Sequence, residues 1–598
     1  MIESEVTRST RSMAWYAPLP LGSGIQAIAY LWARTSQSGA HLLFWVGTAL
    51  IIGGVCIAIW RRRPARREAF VLANVVGALL FLPKFYRSPN YFNFYDELAH
   101  WRATQGLLDG VLPFGRNPLN PVVGYYPGLE TATAVLTRAT GLSIFAAGNL
   151  LILTAHTILA AAVWLIAERF LKLPVAATFA LVVYTISPGF FYFDSQFAYE
   201  SLALPLVAVV VLLVVKIAQG DTPQNGLTVV AIVLSIVVVF THHASSYVLG
   251  GMLLLVLVGT LALYRASPEA RSAPLVRLSI VAGVACGAAA LWISVVAPYT
   301  VTYLGPLLSD NVHALVGLAY GTTHTRALFS GAATPLYEMV AVYASIVLVV
   351  GLYVGGVFIL WKKDRWRSYL GWTLSLIGLF YLVSLPFVAV RTDQVAKRSW
   401  GFTFIVLAPV AGLAISKVVG RSALRTGFIS LALVVGVVGG ASTLSGINIR
   451  FPGPYQPSSD PRAMTANVIA AAEWLRSTAG TGNRIMADRD TEAIFASYGD
   501  QYPVEEAYEG YLAAAVFKSH SVTPFVLNEL RRSRTRYLAV DARLPTAAPL
   551  TGYYFDANEP LISTTHPTVT REDLAKFNGA QFERIYDNGT IKIFRFVG

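Results

Sequence analysis

Apolar windows of about 20 residues recur through the first three quarters of the chain and stop near residue 446. They fall at 14 to 34, 41 to 60, 68 to 84, 143 to 167, 174 to 193, 197 to 219, 226 to 241, 244 to 264, 278 to 297, 338 to 361, 368 to 390, 400 to 418 and 426 to 446. A helix that crosses about 30 Å of hydrocarbon must satisfy its backbone hydrogen bonds internally, so the pattern predicts a polytopic α-helical membrane protein. It has thirteen spans, or twelve if the first segment, broken by Pro18 and Pro20, only lies on the surface.

Beyond residue 446 the periodicity changes. AMTANVIAAAEWLRSTAG (463 to 480) and TPFVLNELRRS have helical spacing, and NRIMAD (483 to 488) and RYLAVD (536 to 541) read as strands. FERIYDNGTIKIFRF closes as a hairpin on Asn588-Gly589. The tail is therefore expected to be a small α/β domain. The predicted organisation is a transmembrane part, 1 to 446, carrying an outward loop at 85 to 142, followed by the domain 447 to 598. STAGTGNR lacks the lysine of a phosphate loop and reads as a helix stop.

Composition agrees with the pattern. The 598 residues are 55% hydrophobic and only 13% charged, against roughly 25% charged in a soluble domain, and the mean hydropathy is +0.55. The first twelve residues lead into the Pro-interrupted segment without a small-residue cleavage site, so no removable signal peptide is expected. Cys56 and Cys286 fall inside apolar windows and read as packing residues.

The basic loops RRRPARR (61 to 67), Arg265/Arg271/Arg277, WKKDRWR (361 to 367) and Lys417/Arg421/Arg425 all fall on one side, which the positive-inside rule makes cytoplasmic. The opposite, extracytoplasmic side of a plasma membrane then receives the loop 85 to 142, FDSQFAYE (193 to 200), the long loop 298 to 337 and the C-terminal domain. That domain carries 16 basic against 17 acidic residues, so of the net charge of +13 the membrane part holds +14. These basic residues are topogenic, and no nucleic-acid partner is indicated.

Three clusters on the outward side hold candidate chemistry. YFNFYDELAHWR (91 to 102) places Asp96 and His100 four apart, on one face of a predicted helix over 94 to 110, with Glu97 one position round. A carboxylate at the edge of a low-dielectric cavity is suited to act as general base, although a solvated helix that merely carries acid has the same spacing. VRTDQVAKRSWGF (390 to 402) puts Arg391, Lys397 and Arg398 outside, against the topological bias, where paired donors suit a phosphate and pairing with Asp393 or lipid headgroups is the plainer alternative. FTHHASSY (240 to 247) brings His242 and His243 to a helix end, and Gln196 and Glu200 lie one turn apart beside Asp194. Tyr299, Arg326 and GTTHTR belong to the long loop, and Trp474, Tyr498, Tyr502, Tyr508 and Tyr511 are candidate stacking faces in the tail.

Together the Asp96-Glu97 pair in the first large outward loop, the many-helix body and the outward C-terminal domain resemble the GT-C superfamily of integral membrane glycosyltransferases. That group includes the protein O-mannosyltransferases and polyprenyl-phosphate-sugar-dependent enzymes of bacterial cell envelopes. The resemblance implies a polyprenyl-phosphate-sugar donor, a glycan, lipid or protein acceptor, and a membrane-lipid setting. It makes Asp96 the base, with Glu97 holding the acceptor or orienting Asp96, and GYYPGLE (124 to 130), with Tyr126, continues the same loop. Donor phosphate is assigned to Arg398, Lys397, His243 and Arg391, and support or acceptor contact to His100, His242, Glu200, Gln196 and Tyr126. The outward loops of the membrane part hold no second Asp-x-Asp pair of the kind that coordinates metal in oligosaccharyltransferases, so no cofactor is expected and a divalent metal is not indicated. Single displacement by one acid predicts inversion at the anomeric carbon. A transporter or flippase of lipid-linked sugars, and a polysaccharide polymerase or ligase, are the competing readings; a transporter would be expected to show inverted repeats, and none is visible.

Overall fold

The computed structural model describes residues 14–35, 38–115, 117–266, 273–320, 334–362, 369–386, 393–419, 422–504, 509–556 and 558–598. The chain folds as two compact units: residues 1–87 with 148–446, and residues 88–147 with 447–598. The loop after the third apolar segment thus shares a unit with the C-terminal segment, although more than 300 residues separate them in sequence.

The first unit is helical. Ten helices among the described residues are long and apolar enough to cross a membrane, and Pro174–Tyr184 and Ser375–Ser384 are shorter apolar helices. Pro18–Thr35 is also a helix, but it is not among the ten. This is a multi-pass membrane protein. Without a hydrophobic driving force between helices in lipid, close backbone approach and interhelical hydrogen bonds must hold the bundle. Pro18–Thr35 and Ala40–Arg62 meet at two glycines: a Cβ on Gly22 would lie 2.5 Å from the Gly47 carbonyl oxygen, and one on Gly47 equally close to that of Gly22. Beside this contact the Gln26 amide donates to Thr48 Oγ1 at 2.9 Å, and the Trp45 indole donates to Glu338 at 2.9 Å. Cys56 and Cys286 are unpaired.

In the second unit, helix α1 (Tyr95–Leu108) and helix α2 (Gly128–Thr140) come from the early loop. From the C-terminal segment come α3 (Ala466–Ala479), α4 (Arg489–Ser497) and α5 (Pro524–Arg532). The sheet is built from β1 (Arg484–Met486), β2 (Tyr502–Pro503), β3 (Tyr537–Asp541), β4 (Phe582–Asp587) and β5 (Ile591–Phe596). Its order is β2-β1-β3-β5-β4, parallel from β2 to β3 and antiparallel across β5 and β4. The hairpin turns on Asn588-Gly589 as the sequence predicts, with Gly589 at φ 81°. Thr523 caps α5 by accepting from the Val526 N–H at 3.2 Å. The core behind the sheet gathers Met486, Phe517, Leu538, Phe577 and Phe594.

Candidate active site

Helix α1 forms where the acidic motif predicts it, and Glu97 shows why it starts there. Glu97 is 0% exposed, and its Oε2 accepts the backbone N–H groups of Asn93 and Phe94, both at 3.3 Å. A glutamate at the third helical position reaching back to the cap residue is one half of a capping box, and it satisfies donors that the first turn would otherwise leave orphaned. Asp96, one position earlier, is half-buried. Glu97→Ala is expected to destabilise the second unit by about 1–3 kcal/mol, because two buried N–H groups lose their acceptor. A lowered thermal midpoint of the purified chain, with Glu97→Gln intermediate, checks it.

The rest of α1 is held from the C-terminal segment. Tyr95 N–H donates to Asp460 Oδ2 at 3.1 Å, Arg489 Nη1 donates to Asp460 Oδ1 at 2.8 Å, and the Arg489 guanidinium stands over the Tyr95 ring at 4.6 Å. The Tyr498 hydroxyl accepts from the Phe92 N–H, just ahead of α1, at 3.2 Å, and its ring packs on Trp101 within α1 at 4.7 Å. Arg102 then donates to the Ala496 carbonyl at 2.8 Å and pairs with Asp500. Helix α4 therefore lies along α1 and fixes the segment that presents Asp96.

His100, one turn after Asp96, meets Glu130 from the first turn of α2: Nδ1 and Oε1 are 2.5 Å apart, and both side chains are 1% exposed. Glu130 closes the stretch GYYPGLE, whose sequence alone assigns it no role. Tyr126 is buried in the same loop. Asn117 shapes that loop by donating to the Ala99 carbonyl at 2.9 Å and accepting from Leu119 and Asn120.

A second acidic network lies at the carboxyl ends of β1 and β3. Burial first, and the nearby Asp541 charge second, push the Asp488 carboxyl up to about 6. Burial likewise holds Asp490 well above the usual carboxylate range, against the pull of Arg489. Arg543 binds Asp541 through Nη2 at 2.6 Å and covers the Tyr455 ring at 4.1 Å.

The helical unit holds the other candidates. Residues 185 to 198 interrupt the helices between Pro174–Tyr184 and Tyr199–Ala218, and Asp194, Gln196 and Glu200 are buried there. Asp194 Oδ2 has no hydrogen-bond partner among the described residues. Burial, reinforced by the Glu200 charge, pushes its carboxyl up to about 8. Gly189 makes room for it, since a Cβ there would sit 2.8 Å from Asp194 Oδ1. His242 and His243 stand at the break between Gln224–Thr241 and His243–Ala266, with the Tyr199 ring 4.2 Å and 5.7 Å from theirs. His242 Nδ1 meets Ser245 Oγ at 2.7 Å.

Lys397 and Arg398 occupy the first turns of the helix Asp393–Val418, which starts earlier than the apolar window predicts. The Arg398 guanidinium lies over the Phe193 ring at 4.8 Å and interacts electrostatically with His243. The structure thus brings Arg398, His243, His242, Asp194, Gln196 and Glu200 into one neighbourhood. Arg391, Arg326, the GTTHTR stretch and Tyr508 lie outside the described residues. Among the tail aromatics, Trp474 packs on Tyr586 at 4.7 Å and Tyr498 on α1, whereas Tyr502 stays 48% exposed.

No protein-family model and no curated sequence matches the chain. Solved structures do, and they place it in the fold of GT-C membrane glycosyltransferases. The oligosaccharyltransferase AglB of Archaeoglobus fulgidus, solved with an inhibitory peptide and a dolichol-phosphate, matches at 13% identity and TM-score 0.50 over 80% of this chain and 69% of its own. ArnT of Cupriavidus metallidurans, bound to undecaprenyl phosphate, matches at 11% identity and TM-score 0.50 over 88% of this chain and 97% of its own. The mycobacterial arabinofuranosyltransferase AftD matches at 14% identity and TM-score 0.51 over 90% of this chain and 42% of its own, so the chain spans less than half of that protein. At these identities the likeness is one of fold.

Proposed function

We propose that the protein is a glycosyltransferase that moves a sugar from a polyprenyl-phosphate donor to a hydroxyl or amine acceptor on the extracytoplasmic face of the plasma membrane. The observation that carries the reading is Asp96, half-buried in the first turn of a helix that Glu97 caps and α4 braces, within a fold shared with proteins solved with lipid phosphates. Asp96 takes the proton of the incoming acceptor as the acceptor atom bonds to the anomeric carbon and the bond to the phosphate oxygen breaks. Arg398 and Lys397 hold the departing phosphate with a hydrogen bond from His243, and these two fixed cations at developing charge supply the larger electrostatic contribution. Gln196, Glu200, His242, His100 and Tyr126 support these groups. One acid acting once gives inversion.

The test is an assay of the purified chain in lipid nanodiscs with a panel of polyprenyl-phosphate sugars and envelope-glycan, lipid and peptide acceptors. Transfer, with an inverted linkage by product NMR, is expected. Absence of transfer across the panel, together with movement of a labelled lipid-linked sugar between leaflets, would replace the reading with the flippase.

A further inference from the structure

The part of the second unit away from Asp96 holds a cavity that the proposed reaction does not use. It has a volume of about 230 Å³ and lies between the C-terminal half of α1, the loop that follows it, and the edge of the sheet. Arg102, Asp109, Phe114, Glu130, Asp500 and Tyr502 are on its walls. Phe114 and Tyr502 are 43% and 48% exposed, and the Arg102 guanidinium stands over the Tyr502 ring at 5.8 Å. The loop wall is built rather than loose: the Phe114 N–H donates to the Gly124 carbonyl at 3.0 Å, and a Cβ on Gly124 would lie 1.8 Å from the Gly115 carbonyl oxygen.

Each acid named on these walls has a first hydrogen-bond or ion-pair partner among the described residues, and Arg102 and Asp500 neutralise one another. Arg102 pairs with Asp500, both carboxylate oxygens of Asp109 accept from the Gln105 amide at 3.0 Å, and Glu130 Oε1 meets His100. Glu130 Oε2, in a side chain 1% exposed, has no hydrogen-bond partner among the described residues. A carboxylate has about four acceptor positions, so these acids retain capacity after their first partner. Among the described residues no three His, Cys, Asp or Glu side chains converge at metal-holding distance, so the acids are spread over the walls and do not focus on a cation. Among the described wall residues carboxylates outnumber cations, which disfavours a phosphate, and their dispersal gives an amine no focus. Dispersed acceptors beside an exposed tyrosine suit a neutral polyol whose hydroxyls donate and whose C–H face lies on the ring.

We infer that this cavity is a saccharide-binding subsite for one ring of a neutral glycan, with Glu130 and Asp109 accepting from hydroxyls and Tyr502 stacking on the ring. As a hold on the acceptor glycan away from the reacting end, it rests on the glycosyltransferase reading; as a saccharide site, it does not.

The purified full-length chain in nanodiscs would be titrated with neutral hexasaccharides of arabinose, mannose, galactose and glucose, and followed by saturation-transfer NMR and calorimetry. Saturable binding of at least one is expected, weakened about tenfold, equivalent to about 1.4 kcal/mol, by Tyr502→Ala and retained by Tyr502→Phe. Asp109→Ala, at an exposed position, is expected to weaken it several-fold. Failure of all four to bind, or equal binding by parent and both alanine variants at unchanged thermal midpoints, overturns the subsite. The readout needs no donor: transfer without such binding sinks the subsite and leaves the reaction standing, and binding without transfer does the reverse.

Discussion

Asp96→Asn is expected to lose transfer by about a hundredfold or more while keeping the parent's thermal midpoint, a loss of about 2.7 kcal/mol of transition-state stabilisation. Two carboxylates are adjacent in sequence, and the structure gives them different surroundings. Glu97 is fully buried and its Oε2 is engaged with the Asn93 and Phe94 N–H groups, so withdrawing it to accept a proton would uncap the helix. Asp96 retains partial exposure in the same turn. Asparagine has nearly the same shape and can still accept hydrogen bonds, so the substitution removes basicity and little else. The two acids should therefore fail differently: Asp96→Asn in rate with stability intact, Glu97→Ala in stability first. The assay compares initial rates of parent and variant with the best donor of the panel. Undiminished transfer in Asp96→Asn would reject the base.

Ten of the expected spans, the hairpin on Asn588-Gly589 and the strand Tyr537–Asp541 were legible because each is written in local periodicity or turn chemistry, whereas the windows 174 to 193 and 368 to 390 hold shorter apolar helices among the described residues. The acidic helix was legible for the same reason. What local pattern cannot carry is the partner. Glu130 lies 30 residues from His100, and nothing in GYYPGLE singles that acid out until α2 lays it against α1. Asp460 and Arg489, which fix the start of α1, are more than 360 residues away. Their union with the early loop is a long-range packing event that a single sequence does not reveal. Glu97 was visible as an acid but not as a cap, because the residue it closes on is Phe94 and not the serine or threonine of the usual signature. Asp194 was noted beside Gln196 and Glu200, but its lack of a hydrogen-bond partner among the described residues follows from burial that the motif does not encode.

Arg398→Ala is expected to lower kcat/KM for the lipid-phosphate donor by about 10²–10³, with kcat falling as well as KM rising, since the phosphate gains charge as it leaves. Arg398 is suited to the role by position. It is exposed at the start of Asp393–Val418, its guanidinium is set over the Phe193 ring at 4.8 Å, and His243 is within its electrostatic reach. The ring restricts the side chain, and a planar guanidinium held in this way matches two phosphate oxygens. Arg398→Lys keeps the charge but loses the paired donors, so it should recover only part of the rate. An exposed arginine contributes little to stability, so the thermal midpoint should stay near the parent's. If donor kinetics are unchanged in Arg398→Ala, Arg398 does not hold the phosphate, and its placement over Phe193 is packing alone. If KM rises while kcat holds, Arg398 binds donor and transition state equally and the leaving charge is stabilised by other groups.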